Sequence, residues 1–378
     1  MTKRLFYIYG YYGSKNAGDE AFRLAFQQLL PSDAELRFIR PSVLANNKTL
    51  ASQIQNDVAT RTAHLIVGGG AIIGEPYFWE HIPEDTPFHI ISADIGSMDN
   101  LLRKYTPTLK HVQSSLIRSE ADTKLLRELA PWQQQIHYLP DIVFSLEASS
   151  PKHQEVKAMT PVARNRQLLD IMCKFCENTI PVDQLRNKNM AIFLSDHYYD
   201  YKTIHSSCVL DGIEREASDK TYLRHLRLAL DEITPYYNLY FFSLSFWYNS
   251  IDAFVGYRLA RASRQAPSYN IVTRYIEPQD IVDLMPYFDA AVSTKFHGLI
   301  FPMTANVPVM NLGSSKKNHD LAQQMGLISV SAQSFNEATF LEALKQVESV
   351  EYMMSLAETR RLAHDAVHTA FANPEIWH

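Results

Sequence analysis

Cysteine is scarce, with Cys173, Cys176 and Cys208 the only three in 378 residues. So few thiols cannot build a disulfide framework, which points to a reducing compartment. An excess of cations is also lacking: 36 Lys and Arg stand against 41 Asp and Glu, a net charge of −5. A general nucleic-acid binder, which tracks phosphates with positive charge, is thereby disfavoured. No apolar run approaches the roughly 18 residues of a membrane-crossing helix. Behind Met1-Thr2-Lys3-Arg4 the apolar stretch lasts only from Leu5 to Tyr9, too short for the core of a signal peptide. A soluble, cytoplasmic protein is expected. Low-complexity tracts and residue-level repeats are missing. The composition, 46% hydrophobic and 20% charged, is that of a folded chain. At about 100–200 residues per domain, the length predicts two domains.

What is present is an alternation of short apolar runs and helical stretches. Leu5–Tyr9 ends at a glycine-bearing loop, Gly10 to Asp19. A helix over Glu20–Leu30 follows, with Asp19 as its N-cap and Phe22, Phe26 and Leu29 as the inward stripe, then a strand over Glu35–Ile39. His64–Val67 runs into Gly68-Gly69-Gly70, and further strands fall at Phe88–Ser92, Leu116-Ile117 and Ile136–Leu139, with a helix over Glu120–Leu129. A second alternating half has strands at Met190–Leu194, Leu239–Leu244, Ile271-Val272, Ala290–Ser293 and Val309–Leu312, and helices at Tyr222–Leu230, Ile251–Ala262, Ile281–Met285 and Gly298–Thr304. The pattern predicts an α/β protein of two Rossmann-like domains with a central cleft. Residues 1–147 form the first domain, 148–188 a partly helical connection, 189–345 the second domain, and 346–378 a C-terminal helix.

The loops at strand ends carry the chemistry. Gly10–Asp19 lacks the G-x-G-x-x-G spacing, and Arg40 stands where a dinucleotide site wants an acidic residue, so no nicotinamide cofactor is expected. That loop is either a tight turn or a ligand-facing helix start; the Gly68–Gly70 run is either close packing or close approach to a ligand. Cys173-x-x-Cys176 has only Cys208 as a third thiol and lies in an apolar helical stretch, Leu168–Ile180, so it reads as packing, and no metal is expected. Phe246 and Trp247 end an aromatic run that reads as core in its first half and as an acceptor-lining or membrane-touching surface in its second. The segment Ser293-Thr294-Lys295-Phe296-His297-Gly298 is the most informative. An ammonium, an imidazole and a helix N-terminus converge there at a strand's end, an anion site by composition. Lys316 and Lys317 follow the next strand.

Taken in order, the Gly13–Glu20 loop, the Gly68–Gly70 run, the Ser-x-(basic)-x-His segment, Pro308, Lys316 and Gln324-Met325-Gly326-Leu327 resemble the polysaccharide pyruvyl transferase family across about residues 8–330. The resemblance implies a fold like that of GT-B glycosyltransferases. It also implies pyruvyl transfer from phosphoenolpyruvate to two hydroxyls of a sugar, giving a ketal and phosphate. The family's Arg-x-His donor motif maps onto Lys295 and His297. Its second donor arginine has no counterpart in Leu194-Ser195-Asp196-His197. On this reading His297, Asp19 and Glu20 are the catalytic candidates. Lys295, Phe296, His297, Gly298, Lys316 and Lys317 hold the donor. Gly13, Asn16, Gly18, Gly69 and Gly70 face the acceptor. The acceptor is a sugar of a cell-surface polysaccharide or exopolysaccharide, or its lipid-linked precursor, met by peripheral contact at the inner membrane face. Two other readings share the fold: a glycosyltransferase using a nucleotide sugar, and a non-catalytic glycan- or anion-binding protein.

Overall fold

The computed structural model describes residues 4–148, 150–177, 179–195, 222–247, 250–263, 265, 269–313, 315–331, 334–373 and 376. The chain forms two compact units. One comprises the chain up to Ser14, Asp19–Ser145 and the chain from Leu362 onward; the other comprises Lys15–Gly18 and Leu146–Arg361. The expected connection, 148–188, therefore groups with the second unit, and the C-terminal helix Val350–Ala372 is divided between the two at Leu362.

The first unit is built on β1 (Leu5–Tyr9), β2 (Glu35–Ile39), β3 (Ala63–Ile73), β4 (Phe88–Ile95), β5 (Val112–Ile117) and β6 (Ile136–Tyr138). All pairs are parallel, in the order β2-β1-β3-β4-β5-β6. Strands buried on both faces read as near-continuous apolar runs, and Phe6 to Tyr9 are fully buried. The strand order reverses between β1 and β3, so the unit's switch point lies at their carboxyl ends. The glycine run does not end β3, as its composition suggested, but lies inside it. The helix Ala17–Leu29 explains why: a Cβ at Gly69 would stand 2.6 Å from the Phe22 ring and one at Gly68 3.2 Å from Phe26. Burying those two rings is worth about 1.5–3 kcal/mol each, and the bare backbone lets them approach. That helix starts two residues before Asp19, which sits in the first turn rather than at the cap. Phe22 and Phe26 point inward as expected, while Leu29 is only half-buried and Leu30 completes the face.

The second unit contains β7 (Lys188–Phe193), β8 (Tyr237–Phe241), a short antiparallel pair β9 (Phe246–Trp247) and β10 (Ser250–Ile251), β11 (Tyr269–Ile271), β12 (Ala290–Ser293) and β13 (Val309–Asn311). Its parallel sheet runs β11-β8-β7-β12-β13, a second doubly wound order with its switch point between β7 and β12. Residues 222–233 are helical. Leu226, Leu230, Leu239, Phe241, Val292 and Phe340 share one core. The strand expected to continue to Leu244 ends at Phe241, and the helix expected from Ile251 begins at Ala253, because Ile251 pairs with Phe246 instead. The helix Pro161–Met172 stops at Cys173, its C-cap. The Cys pair thus lies just past a helix rather than within one. Burial pushes the Cys176 thiol up to about 12, which keeps it a thiol at neutral pH. Beyond Phe335 the helical tail is two helices, Glu337–Val347, opened by an Asn336–Thr339 capping box, and Val350–Ala372. Among the described residues no helix is long and apolar enough to cross a membrane.

Candidate active site

In the second unit, β12 carries Ser293 to the carboxyl edge beside β7. The Ser293 hydroxyl accepts from the Lys295 N–H at 2.8 Å and lies 2.8 Å from the Lys295 carbonyl and 3.2 Å from that of Phe193. This turns the chain directly into the helix Phe296–Thr304. Gly298 permits the turn: a Cβ there would meet Ser293 Oγ at 2.4 Å and Phe193 Cβ at 2.5 Å. Lys295 occupies the N-cap, and its side chain makes no capping bond. The first N–H groups of a helix carry a partial positive charge suited to an anion.

The Lys295 ammonium does not stand as a bare cation. It lies 2.8 and 2.7 Å from the two carboxylate oxygens of Asp252, a residue the sequence reading did not single out. Asp252 is buried and also accepts from the N–H groups of Leu244 (3.0 Å) and Ser245 (2.8 Å). Burial pushes its carboxyl above the ordinary range, while Lys295 and those two amides pull the other way. The same stretch holds Lys15–Gly18: the Ala17 N–H donates to the Leu244 carbonyl at 2.7 Å, the Phe246 N–H to that of Lys15 at 3.1 Å, and Asn16 bridges Ser245. A Cβ on Gly18 would stand 2.3 Å from His297 Nδ1, so the imidazole packs directly over that glycine. Asn16 and Gly18, which the sequence reading grouped with Gly13, Gly69 and Gly70, therefore lie in the second unit with His297.

Asn318 is another residue the sequence reading missed. Fully buried in the first turn of the helix Lys316–Met325, it donates to the Thr294 carbonyl at 2.9 Å, and Gly313 has no room for a Cβ because Asn318 Nδ2 would lie 2.0 Å from it. The Thr294 hydroxyl in turn accepts from the Ser195 N–H at 2.9 Å, joining the ends of β7 and β12. Lys316 and Lys317 are exposed on that helix's first turn, and Lys316 pairs with Asp320 at 2.7 Å. Asp196 and His197 lie outside the described residues.

In the first unit, Glu20 is committed to structure. Nearly buried, it accepts from the N–H groups of Gly13 and of Ser14 (3.1 Å) and pairs with Arg23 at 3.0 Å. It staples the loop, which argues against the role of base. Asp19 is the carboxylate that remains half-buried, with Oδ1 3.9 Å from where a Cβ on Gly70 would stand. A Cβ at Gly70, φ +106°, would make only ordinary contacts, 3.8 Å from Ile72 and 3.9 Å from Asp19, whereas Gly69 is a packing residue against Phe22. A buried network lies at the ends of β4, β5 and β6: Arg118 Nη2 donates to both carboxylate oxygens of Asp94 (2.8 and 2.9 Å) and Nη1 to Asp141 at 2.9 Å. Burial pushes the Asp141 carboxyl up against the pull of Arg118 and the Val143 N–H. No local motif signals it, because its members come from separate strand ends.

Two parallel α/β sheets of this kind define a GT-B-type fold, and solved structures agree. The UDP-GlcNAc 2-epimerase of Neisseria meningitidis bound to UDP-GlcNAc is similar at 11% identity over 97% of this chain and 98% of its own, with a TM-score of 0.55. The α,α-trehalose-phosphate synthase (UDP-forming) of Burkholderia vietnamiensis is similar at 9% identity over 100% and 95%, with a TM-score of 0.52. An S. aureus MnaA–UDP co-structure is similar at 10% over 98% and 95%, with a TM-score of 0.54. Among curated proteins none matches in sequence. Residues 16–316 match the polysaccharide pyruvyl transferase family, and the chain belongs to that family.

Proposed function

We propose that this protein transfers the pyruvyl group of phosphoenolpyruvate to two hydroxyls of a saccharide destined for a cell-surface polysaccharide, its donor held at the β12 edge. The observation that carries the reading is the convergence of His297, Lys295 and an uncapped helix start at one switch point, inside the family-matched segment. Phosphoenolpyruvate brings a carboxylate and a phosphate. The helix N–H groups are suited to one anion, and the Lys295–Asp252 pair presents oriented N–H donors rather than a full free charge. Ketal formation adds one sugar oxygen to the central carbon as a proton reaches the methylene, and a second oxygen replaces the phosphate there. Of the two hydroxyl protons, one is accounted for by the new methyl group and the other leaves with phosphate. His297 is the proton donor in this scheme, while Glu20, held by Gly13, Ser14 and Arg23, is committed to the loop.

A nucleotide-sugar donor is the second reading, favoured by the UDP and UDP-GlcNAc named with the structural neighbours. Release of inorganic phosphate from phosphoenolpyruvate, measured beside release of UDP from UDP-GlcNAc with the same saccharide panel, separates the two. Phosphate release that depends on saccharide supports pyruvyl transfer; UDP release without it overturns the proposal.

A further inference from the structure

The first unit's switch point carries an aromatic pair that the donor chemistry leaves unused. Tyr11 follows β1, and Tyr77 lies on the four-residue helix Pro76–Trp79 that follows β3. Their rings stack, 6.0 Å apart at 19°, and Tyr11 also meets Phe78 edge-on at 4.4 Å. Tyr77 is 45% exposed, although the helix bearing it is pinned. Phe78 and Trp79 are buried, the Tyr9 hydroxyl donates to the Phe78 carbonyl at 3.1 Å, and Trp79 Nε1 donates to that of Ile72 at 2.9 Å. The exposed ring is thus held rigidly where ligands of parallel sheets bind. Two carboxylates share the place. Glu75 is the N-cap of that short helix but makes no capping bond, and its chain lies over Gly96; Asp19 lies beside Gly70. Burial, and then Glu75, Tyr77 and Asp19, push the Tyr11 hydroxyl up to about 12, so it stays protonated and neutral.

We propose that Tyr11 and Tyr77 form a platform for the C–H face of a pyranose ring, with Glu75 and Asp19 accepting its hydroxyl protons. An aromatic face is electron-rich and attracts the weakly positive axial C–H bonds of a sugar, and carboxylates accept from neighbouring hydroxyls. A nucleotide could stack on the same rings, but its phosphates would meet two carboxylates. A neutral saccharide brings only donors to them. The inference rests on the saccharide-acceptor reading above and names where that acceptor sits.

Saturation-transfer NMR of the full chain with methyl β-D-glucopyranoside tests it, with D-glucitol as the ringless control. The axial ring protons should saturate, D-glucitol should not, and Tyr77→Ala should weaken the effect about fivefold, the equivalent of about 1 kcal/mol for a lost aromatic contact. Tyr77→Phe should retain it. The proposal is overturned if wild-type protein transfers no saturation, if Tyr77→Ala matches wild type, or if UMP displaces the glycoside. Because Tyr77 is exposed, unchanged melting of Tyr77→Ala checks that the variant is folded. If the glycoside binds as described while phosphoenolpyruvate yields no phosphate, the transferase reading fails and the platform stands. If phosphate is released but Tyr77→Ala leaves the saturation unchanged, the platform fails alone.

Discussion

The two switch points solve the same problem with different materials. At the β7/β12 edge, position is set by charge and hydrogen bonds: Asp252 grips Lys295, Ser293 folds the turn, and Asn318 fastens Thr294. At the β1/β3 edge it is set by backbone and rings: positive φ at Gly13, Gly69 and Gly70, Tyr12 donating to the Gly68 carbonyl at 2.8 Å, and the stacked Tyr11–Tyr77 pair. A polar, ion-paired edge suits a small anionic donor. A flat aromatic edge with carboxylates suits a neutral, ring-shaped acceptor. Substitutions at the first should act on chemistry and stability together, whereas those at the second should act mainly on saccharide affinity.

The largest effect should come from His297→Ala. If the imidazole delivers the proton, turnover with phosphoenolpyruvate falls about 10²–10⁴-fold, measured as phosphate release; near-normal turnover would remove His297 from the chemistry. Next comes Asp252→Ala, which leaves the Lys295 ammonium without its buried counter-charge. Breaking such a pair costs about 3–5 kcal/mol, read as a lower midpoint in urea unfolding. Lys295→Ala should destabilise by a comparable amount, because it strands the fully buried Asp252 carboxylate without its counter-charge.

Much of this was legible in the sequence, and the reason is local. Apolar runs ending at glycine are strands because a covered parallel sheet needs them, and Glu120–Leu129 emerged as read, with Ser119 accepting from the Asp122 N–H at 3.3 Å as its cap. The strand-end positions of Lys295 and His297 followed the same way. What could not be read was pairing across distance. Asp252 lies 43 positions before Lys295, in a stretch that looked like the start of a helix. The split of the Gly10–Asp19 loop between the units depends on hydrogen bonds with Leu244, which accepts, and Phe246, which donates, and these leave no pattern in the loop itself. Tyr77 carries no signal of its own in the sequence; its neighbours Phe78 and Trp79 take the buried positions and leave it exposed.

A pH-dependent effect, modest per unit of pH, belongs to the first unit alone. His89 is buried, its Nδ1 2.8 Å from Ser114 Oγ and its ring 5.5 Å from that of His64; burial, and then the charge of His64, pull it down from 6.5 to about 3. Between those two values the unfolded chain binds a proton that the folded chain refuses. Stability should therefore fall as pH drops through that window, by about 1.4 kcal/mol per unit from this group, and His89→Phe should flatten the slope in acid-side urea titrations. The smallest change is expected for Lys295→Arg. A guanidinium fork matches the Asp252 carboxylate, so stability should move by less than about 1 kcal/mol in the same titration. A large loss would mean that the pocket is shaped for lysine.

The central claim, an anionic pyruvyl donor at the β12 edge, is tested most directly by calorimetric titration of phosphoenolpyruvate into the wild-type chain and into His297→Ala and Tyr77→Ala. The account predicts binding to wild type, a clear weakening in His297→Ala and unchanged affinity in Tyr77→Ala. Equal affinity in wild type and His297→Ala, or weakening confined to Tyr77→Ala, would contradict it.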